Sequence, residues 1–256
     1  MLRRLTFVED HRIFVVSIGP EATHAHESFY DRVAERKESM PKIVDNWKVA
    51  WRNRFFRDQL LLSLIGFLLA SVLMRLFLSY IETRNGISLP DPLLPLFAPT
   101  DLKWITFSCI YSAMILGFVA LAIYPFSLLL AIRSIFVMIL LRITFLFLLP
   151  LDPPPGCIPL VDPFIRMPAI FPPTSRDLFF SWQTAVMALF GFCARWRDMR
   201  ILFFSAAALV SILFLLQHVH YTIDLVAAPC FAYLAFGIAK GNTLHEVSGT
   251  PSNNRI

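Results

Sequence analysis

Long apolar runs constrain the fold of this chain more than any other feature. The run from Trp104 to Ile132 contains no charged residue. A helix that crosses a bilayer needs about 20 largely apolar residues, so this run is too long for one span, and Pro125 offers a break within it. We predict an all-α, polytopic membrane protein, a six-helix transmembrane bundle, with spans at Gln59–Ile81, Trp104–Tyr124, Phe126–Leu149, Leu178–Ala194, Ile201–Gln217 and Tyr221–Ala239.

The composition excludes several other classes of protein. Hydrophobic residues make up 57% of the 256 residues, charged residues only 16%, and the mean hydropathy is +0.63. Soluble domains carry about 25% charged residues, and disordered chains are poor in apolar residues, so neither class fits. The four cysteines form no CxxC pair, which gives no support for a zinc site or a disulfide framework. The net charge of +5 is distributed as in a membrane protein, and we expect no nucleic-acid partner.

The distribution of Lys and Arg predicts the orientation. We divide the chain into a cytosolic N-terminal segment (1–58), a six-span membrane domain (59–240) and a cytosolic tail (241–256). With the N-terminus inside, the inner segments hold 16 Lys and Arg residues and the outer loops hold 4. The excess of positive charge on inner loops therefore predicts that both termini are cytosolic.

Three further segments carry structural expectations. Phe29, Val33, Ile43 and Trp47 line one side of an amphipathic helix, either at the membrane interface or in a partner-binding module. Two outer loops are expected, at 82–103 and 150–177. The second contains nine of the 18 prolines, which predicts an extended conformation.

A histidine and an aspartate open the sixth predicted span at the outer face. His220 and Asp224 are four residues apart, which places them on one face of a helix. An aspartate that accepts a hydrogen bond from one imidazole nitrogen fixes the tautomer and stabilises the imidazolium when the other nitrogen reacts. This pattern indicates a nucleophilic or general-base histidine. The alternative is a structural pair at the helix end. Only three nearby ligands are evident, so we predict no metal.

A buried arginine is the second candidate. Arg142 precedes Pro150 by eight residues, about 12 Å below the outer end of the third span. An arginine at that depth needs an anion, which a substrate phosphate would supply through bidentate contacts. The alternative is a salt bridge to an in-span acid such as Asp224. We expect Arg133 and Arg75 to extend towards the nearer membrane surface.

The start of the fourth predicted span is the third candidate. Asp177, Ser181 and Thr184 lie there, on the same outer face. The free N–H groups of a helix N-terminus bind anions, and the two hydroxyls would add donors. The alternative is ordinary helix capping by Asp177.

Together these motifs resemble the sphingomyelin synthase-related branch of the phosphatidic-acid phosphatase type 2 superfamily, over about residues 59–240. The most specific match is His220-Tyr221-Thr222-Ile223-Asp224-Leu225, against a His-Tyr-Thr-x-Asp-Val pattern at the start of the sixth span. Looser matches to two further motifs are Leu89-Pro90-Asp91 and the set Arg133, Arg142, Thr144, Leu149, Pro150 and Cys157. The resemblance implies six spans, cytosolic termini and an extracytoplasmic active site.

The resemblance also implies roles for individual residues. His220 would be the nucleophile that forms a phosphohistidine, and Asp224 would orient it. Arg142, Asp177, Ser181, Thr184 and Tyr221 would contact the substrate, with Arg142 placed by its position rather than by a firm motif. The expected partners are a phospholipid and a ceramide- or diacylglycerol-type lipid, and no cofactor is implied.

One family motif is altered. In its Gly-Asp-x3-Ser-Gly-His-Thr pattern, Arg176 and Trp182 stand at the two glycines and Gln183 at the histidine. That histidine protonates the departing lipid alkoxide in the family, and general acid catalysis supplies about 10²–10⁴-fold. The glutamine amide cannot donate a proton and regain it near neutral pH. His218 is the nearest replacement, but on a continuous helix its side chain would point elsewhere. A leaving group that needs no protonation, such as an acidic phosphate or a zwitterionic headgroup, would relax the requirement.

Three functions are compatible with these features. The first is a membrane lipid phosphotransferase or phosphatase that passes a headgroup phosphate through His220 to a lipid alcohol or to water. The second is a catalytically impaired relative that binds phospholipid or regulates another protein, which the changes at Trp182 and Gln183 favour. The third is a transporter or scramblase-like protein, which leaves the His220 motif unexplained.

Overall fold

The computed structural model describes residues 3–9, 12–18, 43–160 and 176–248, with the backbone alone for 3–18 and 242–248. The chain forms two compact units, residues 1–45 and 46–256. The first contains strands β1 (Arg3–Glu9) and β2 (Arg12–Ile18), an antiparallel pair that the sequence analysis did not predict. Phe29 and Val33 of the predicted amphipathic helix lie outside the described residues.

Seven α-helices follow among the described residues. They are α1 (Ile43–Arg52), α2 (Arg54–Ile81), α3 (Lys103–Ala122), α4 (Pro125–Leu148), α5 (Trp182–Cys193), α6 (Arg197–Leu216) and α7 (Thr222–Ser248). A short 3-10 turn, Leu94–Leu96, lies between α2 and α3. The predicted boundary at residue 58 falls inside α2, whereas the second compact unit begins at Asn46.

Five of these helices are long and apolar enough to cross a membrane: α2, α3, α4, α6 and residues 222–241 of α7. This confirms a helical membrane protein. The predicted count of six spanning helices is not reached, because the span predicted at Leu178–Ala194 is a helix of only 12 residues. At 1.5 Å per residue α5 is about 18 Å long, which is less than the roughly 30 Å of a hydrocarbon core.

The break predicted at Pro125 is confirmed. The chain turns at Ile123 and Tyr124, and Pro125 is the first residue of α4, where its missing N–H costs nothing. The turn leaves carbonyls at the end of α3 without helical partners. Trp47 Nε1 donates to the carbonyl of Ala122 at 2.8 Å, and Asn46 Nδ2 donates to that of Ile123 at 3.2 Å. These bonds attach α1 to the bundle.

The short helix α5 lies at the centre of the bundle. It packs against α3, α4, α6 and α7, and nearly all its side chains from Thr184 to Phe190 are fully buried. Gly117 of α3 permits the closest approach, because a Cβ there would lie 2.2 Å from the ring of Phe190. The other helices thus surround α5 and hold the first residues of α5 beside the start of α7 and the end of α4.

Candidate active site

His220 and Asp224 lie where α6 turns into α7. His220 precedes the first residue of α7 by two positions, so it lies before the helix rather than on it. Its Nδ1 is 3.4 Å from Oδ2 of Asp224, and the side chains are 6% and 0% exposed. The predicted pair therefore forms, although Nδ1 of His220 and Oδ1 of Asp224 have no hydrogen-bond partner within the described residues.

Asp224 also stabilises the start of α7. Its Oδ2 accepts a hydrogen bond from the backbone N–H of Tyr221 at 3.2 Å. An acidic residue in the third helical position that bonds back to the cap N–H is one half of a capping box. The carboxylate is therefore fixed by the backbone, and the structural role foreseen as an alternative is present alongside the contact with His220.

A second carboxylate, Asp91, caps α7 from a distant loop. Its Oδ2 accepts from the N–H of Thr222 at 2.6 Å and its Oδ1 from the Thr222 hydroxyl at 2.9 Å. Oδ1 also accepts from the N–H groups of Leu93 and Leu94. Burial on its own raises the pKa of Asp91, but the hydrogen bonds together outweigh burial and lower the pKa. The carboxylate is therefore ionised next to the helix N-terminus, where negative charge is favoured.

The hydroxyl of Tyr221 is used inside the protein. It donates to the carbonyl of Asp152 at 2.9 Å and accepts from the N–H of Leu89 at 3.2 Å, and the residue is 1% exposed. The start of α7 is thereby joined to the loop after α2 and to the loop after α4. Tyr221 was predicted as a substrate contact, and its described contacts are all to the protein itself.

Arg176 joins the same two loops from a third direction. Its Nε donates to Oδ1 of Asp152 at 2.9 Å, and its Nη1 donates to the carbonyls of Glu82 and Arg84. An isolated parallel bridge between residues 87 and 151 lies alongside. Arg176 therefore joins the loop after α2 to the loop after α4.

Arg142 forms hydrogen bonds with the segment that precedes α5. The residue is 2% exposed, and its Nε and Nη2 donate to Oδ1 of Asp177 at 3.1 and 2.7 Å. Nη2 also donates to the carbonyl of Asp177 at 3.2 Å, and Nη1 donates to the carbonyl of Phe180. The acid that pairs with Arg142 is therefore Asp177 and not Asp224, the partner named in the sequence analysis.

The two hydroxyl groups at the start of α5, those of Ser181 and Thr184, form hydrogen bonds within the protein. Ser181 is the N-cap, with its Oγ 3.5 Å from the N–H of Thr184, so capping by Asp177 is wrong. Thr184 Oγ1 is 3.2 Å from Oγ of Ser211, which itself donates to Ala207, so Thr184 is the donor to Ser211. The side chain of Gln183 is half-buried and makes no hydrogen bond with the described residues.

One peptide unit links the two charged pairs. The carbonyl of Phe180 accepts from Arg142, and the next N–H, that of Ser181, donates to the carbonyl of Asp224 at 3.3 Å. The segment that leads into α5 therefore lies between Arg142–Asp177 on one side and His220–Asp224 on the other. Five of the eight predicted site residues contribute to this linked set: Arg142, Asp177, Ser181, His220 and Asp224.

His218 is not on a helix, contrary to the expectation from the sequence. It lies in the turn 217–221 with a φ of 54°, and its Nδ1 is 3.1 Å from the carbonyl of Pro155. Because a carbonyl only accepts, Nδ1 carries the proton. Nε2 of His218 and Oε1 of Gln217 are buried and have no partner in the described part of the chain. Gln217 was not predicted as a site residue, and the available sequence signal was a glutamine next to His218 at the end of an apolar run.

Metal and thiol chemistry find little support. No group of three or more His, Cys, Asp or Glu residues that could hold a metal occurs among the described residues. Burial raises the pKa of the Cys157 thiol, which disfavours the reactive thiolate. The absence of a metal or another cofactor stays a prediction.

Comparisons with known proteins assign no family. No protein-family model matches the sequence, and no curated protein matches it.

Proposed function

We propose that this protein is a membrane-embedded lipid phosphotransferase or phosphatase that uses His220 as its nucleophile. The observation that carries the proposal is the single peptide unit at residues 180–181, which joins the buried His220–Asp224 pair to the buried Arg142. A base–carboxylate pair beside a buried guanidinium is suited to phosphoryl transfer, where positioning and charge stabilisation dominate. The resemblance to the sphingomyelin synthase-related branch points to the same chemistry.

The reaction would proceed in two displacements. In the first, the lone pair of His220 Nε2 attacks phosphorus of a phospholipid, an N–P bond forms, and the P–O bond to the lipid alcohol breaks. In the second, a lipid alcohol or water attacks the phosphohistidine, an O–P bond forms, and the N–P bond breaks. The departing oxygen gains one proton and the attacking oxygen loses one, so protons balance over the cycle. Asp224 stabilises the charge on the imidazole ring, for which its 3.4 Å approach to Nδ1 is suited.

Gln183 sets a limit on this reaction. An amide does not donate a proton and recover it near neutral pH, so water or the substrate must protonate the leaving oxygen. A donor in which the P–O bond that breaks leads to an acidic phosphate, which departs as an anion, removes this need. The substrates we propose are a phospholipid donor and a ceramide- or diacylglycerol-type acceptor, with water as the alternative acceptor. We expect no nucleic-acid partner.

We also propose six crossings, with α5 and its flanking residues forming the fourth. Asp177 contacts Arg142, whereas Trp196 lies 5.9 Å from the ring of Tyr124. Residues 124 and 142 are separated by about 27 Å along α4 at 1.5 Å per residue, close to a hydrocarbon core. The segment 177–196 thus extends over about the same 27 Å, which is roughly three quarters of the length of α4. Six crossings and the excess of Lys and Arg on the proposed inner segments together support cytosolic termini and an extracytoplasmic His220.

The second candidate is a catalytically impaired relative that binds a phospholipid or regulates a partner. Gln183 and Trp182 occupy the positions of the family's acid and glycine. Arg142 is also fully engaged by Asp177 and Phe180, so a phosphate must displace a protein group to reach it.

A comparison of two histidine variants tests the proposal. Purified protein in detergent is incubated with a phospholipid panel plus ceramide or diacylglycerol, and lipid products and released phosphate are measured. We expect turnover in the wild type and none in His220→Asn. We expect turnover within about threefold of wild type in His218→Asn, because asparagine tolerates the left-handed backbone at that turn.

A chemical trap separates the two candidates. Base quenching during turnover should preserve a phosphoramidate on the wild-type protein and none on His220→Asn, since N–P bonds are labile in acid. No turnover with any lipid, together with equal phospholipid binding by wild type and His220→Asn, would reject the enzyme and favour the impaired relative.

A further inference from the structure

A basic and aromatic cluster lies at the opposite end of the bundle from His220. It consists of Arg195 and Trp196 in the turn between α5 and α6, Arg197 and Arg200 at the start of α6, and Tyr124 in the turn between α3 and α4. We refer to it as the turn cluster. The Arg195 guanidinium lies 5.1 Å from the centroid of the Tyr124 ring, and the Trp196 ring meets the same ring edge-on at 5.9 Å. One tyrosine therefore orders both an arginine and a tryptophan.

The positive charge of the turn cluster is largely uncompensated. Arg195 and Arg197 are exposed, and neither has a carboxylate partner within the described residues. Arg200 donates to the carbonyl of Ala194 at 3.3 Å, which neutralises no charge. Asp198 is the single acidic residue between 195 and 200. An ordered guanidinium whose N–H groups lack acceptors is a ready donor to a phosphate.

The turn cluster lies at the level of a membrane surface. Tyr124 follows α3 and precedes α4, and Arg197 begins α6, so the turn cluster joins the ends of three candidate spans. Tyr124, Arg195 and Trp196 border a small surface cleft whose walls also include the apolar side chains of Leu121, Cys193 and Met199. Tyrosine and tryptophan are enriched where a bilayer meets water, and basic pockets between helices at that level bind anionic lipid headgroups.

We propose that the turn cluster binds the headgroup of an anionic phospholipid in the adjoining leaflet. The phosphate would accept hydrogen bonds from Arg195 and Arg197, with its acyl chains against the apolar side of α6. The charge selects an anion, and the apolar wall together with the position at the membrane surface selects a lipid over a soluble phosphate. This site is independent of the proposed catalysis, because it lies about 27 Å along α4 from Arg142.

Lipid titration of full-length variants tests this site. Fluorescent phosphatidylglycerol is titrated into the protein in neutral detergent, with unlabelled phosphatidylglycerol, phosphatidylcholine or glycerol phosphate as competitors. The test variant is Arg195→Gln/Arg197→Gln. The matched control is Arg54→Gln/Arg57→Gln, which removes two exposed arginines at the same end of the bundle, where Phe56 contacts Phe126.

The expected result is a loss of about 25-fold in phosphatidylglycerol affinity for the test variant, about fivefold for each arginine. The control variant Arg54→Gln/Arg57→Gln should change affinity by less than about twofold. Of the three unlabelled competitors, only phosphatidylglycerol should displace the fluorescent lipid efficiently. The proposal is overturned by equal losses in the two arginine pairs, by an unchanged test variant, or by glycerol phosphate competing at the concentrations of the lipid.

Discussion

Breaking the contact between Arg142 and Asp177 should destabilise the bundle by a measurable and specific amount. Replacing Asp177 with alanine removes the two hydrogen bonds to Oδ1, at 3.1 and 2.7 Å, and leaves those to the carbonyls of Asp177 and Phe180. A hydrogen bond to a charged group contributes about 1.5–3 kcal/mol, and removing one partner of a buried ion pair costs about 3–5 kcal/mol. Because the Asp177 side chain is 27% exposed, we reduce this to about 2–3 kcal/mol.

A double-mutant cycle isolates that contribution. The four proteins are the wild type, Asp177→Ala, Arg142→Met and the double variant, and the free energy of unfolding is measured by SDS titration in mixed micelles. Methionine retains much of the buried volume of arginine without its charge. We expect a coupling energy of about 2 kcal/mol between the two sites, with the double variant little worse than Arg142→Met. The control is Arg54→Gln, whose side chain is 87% exposed and whose pairing with Asp58 at 3.8 Å should contribute under about 0.5 kcal/mol. A coupling energy below about 0.5 kcal/mol for Arg142 and Asp177 would refute the assigned geometry.

Three further predictions concern other parts of the molecule. Asp91→Ala should lower the free energy of unfolding by about 1–2 kcal/mol in the same titration, since it removes a helix cap. The pKa of Asp91 in the folded protein lies below the ordinary 3.8, so its ionised carboxylate stabilises the wild type above pH 3.8. This stabilisation should disappear as the pH falls through the lowered pKa. Asp91→Asn, which carries no titrating carboxylate, should lack this pH dependence. Trp182→Gly combined with Gln183→His should raise phospholipid turnover by about tenfold or more, and no gain in a folded variant would argue against the transferred site. Gly117→Ala should cost about 1–3 kcal/mol, measured by thermal unfolding, because its Cβ would meet the Phe190 ring at 2.2 Å.

Hydropathy predicted most of the bundle because membrane helices carry their signal locally. The predicted break at Pro125 and the ends of the five long helices agree with the structure to within about five residues, except that α7 continues to Ser248, well beyond the predicted end at Ala239. The same signal overestimated α5, since an apolar run does not distinguish helix from extended chain. Ser181 is a helix-capping residue type, and it marked the true start of α5 within the run. The hairpin of β1 and β2 was missed, although the order Arg4, Leu5, Thr6 and Phe7 in β1 alternates polar and apolar residues.

In the candidate site, too, contacts between residues close in the sequence were predictable, and contacts between distant residues were not. The contact of His220 with Asp224 was predictable, because four residues of separation keep them within one turn of each other. The partner of Arg142 was not, because Asp177 is 35 residues away and reaches it only through the placement of α5 in the bundle. The bond from Asp91 to Thr222 spans 131 residues and had no local signal beyond a loose motif.

The engagement of Arg142 also bears on how a phosphate would bind. With only 2% of the residue exposed, an anion must displace a protein group to reach the guanidinium, and the carboxylate of Asp177 is the partner with an exposed side chain. Such an exchange keeps the arginine paired, and the displaced carboxylate, already 27% exposed, moves further into water. The exchange therefore costs only the part of the Arg142–Asp177 interaction energy that the phosphate does not replace. This is less than the roughly 2–3 kcal/mol expected when Asp177 is removed and nothing takes its place. The two roles of Arg142 are thus compatible, and Asp177→Asn separates them: a weaker competitor should raise phospholipid affinity if the phosphate contacts Arg142, and leave it unchanged if the arginine only holds α5 in place.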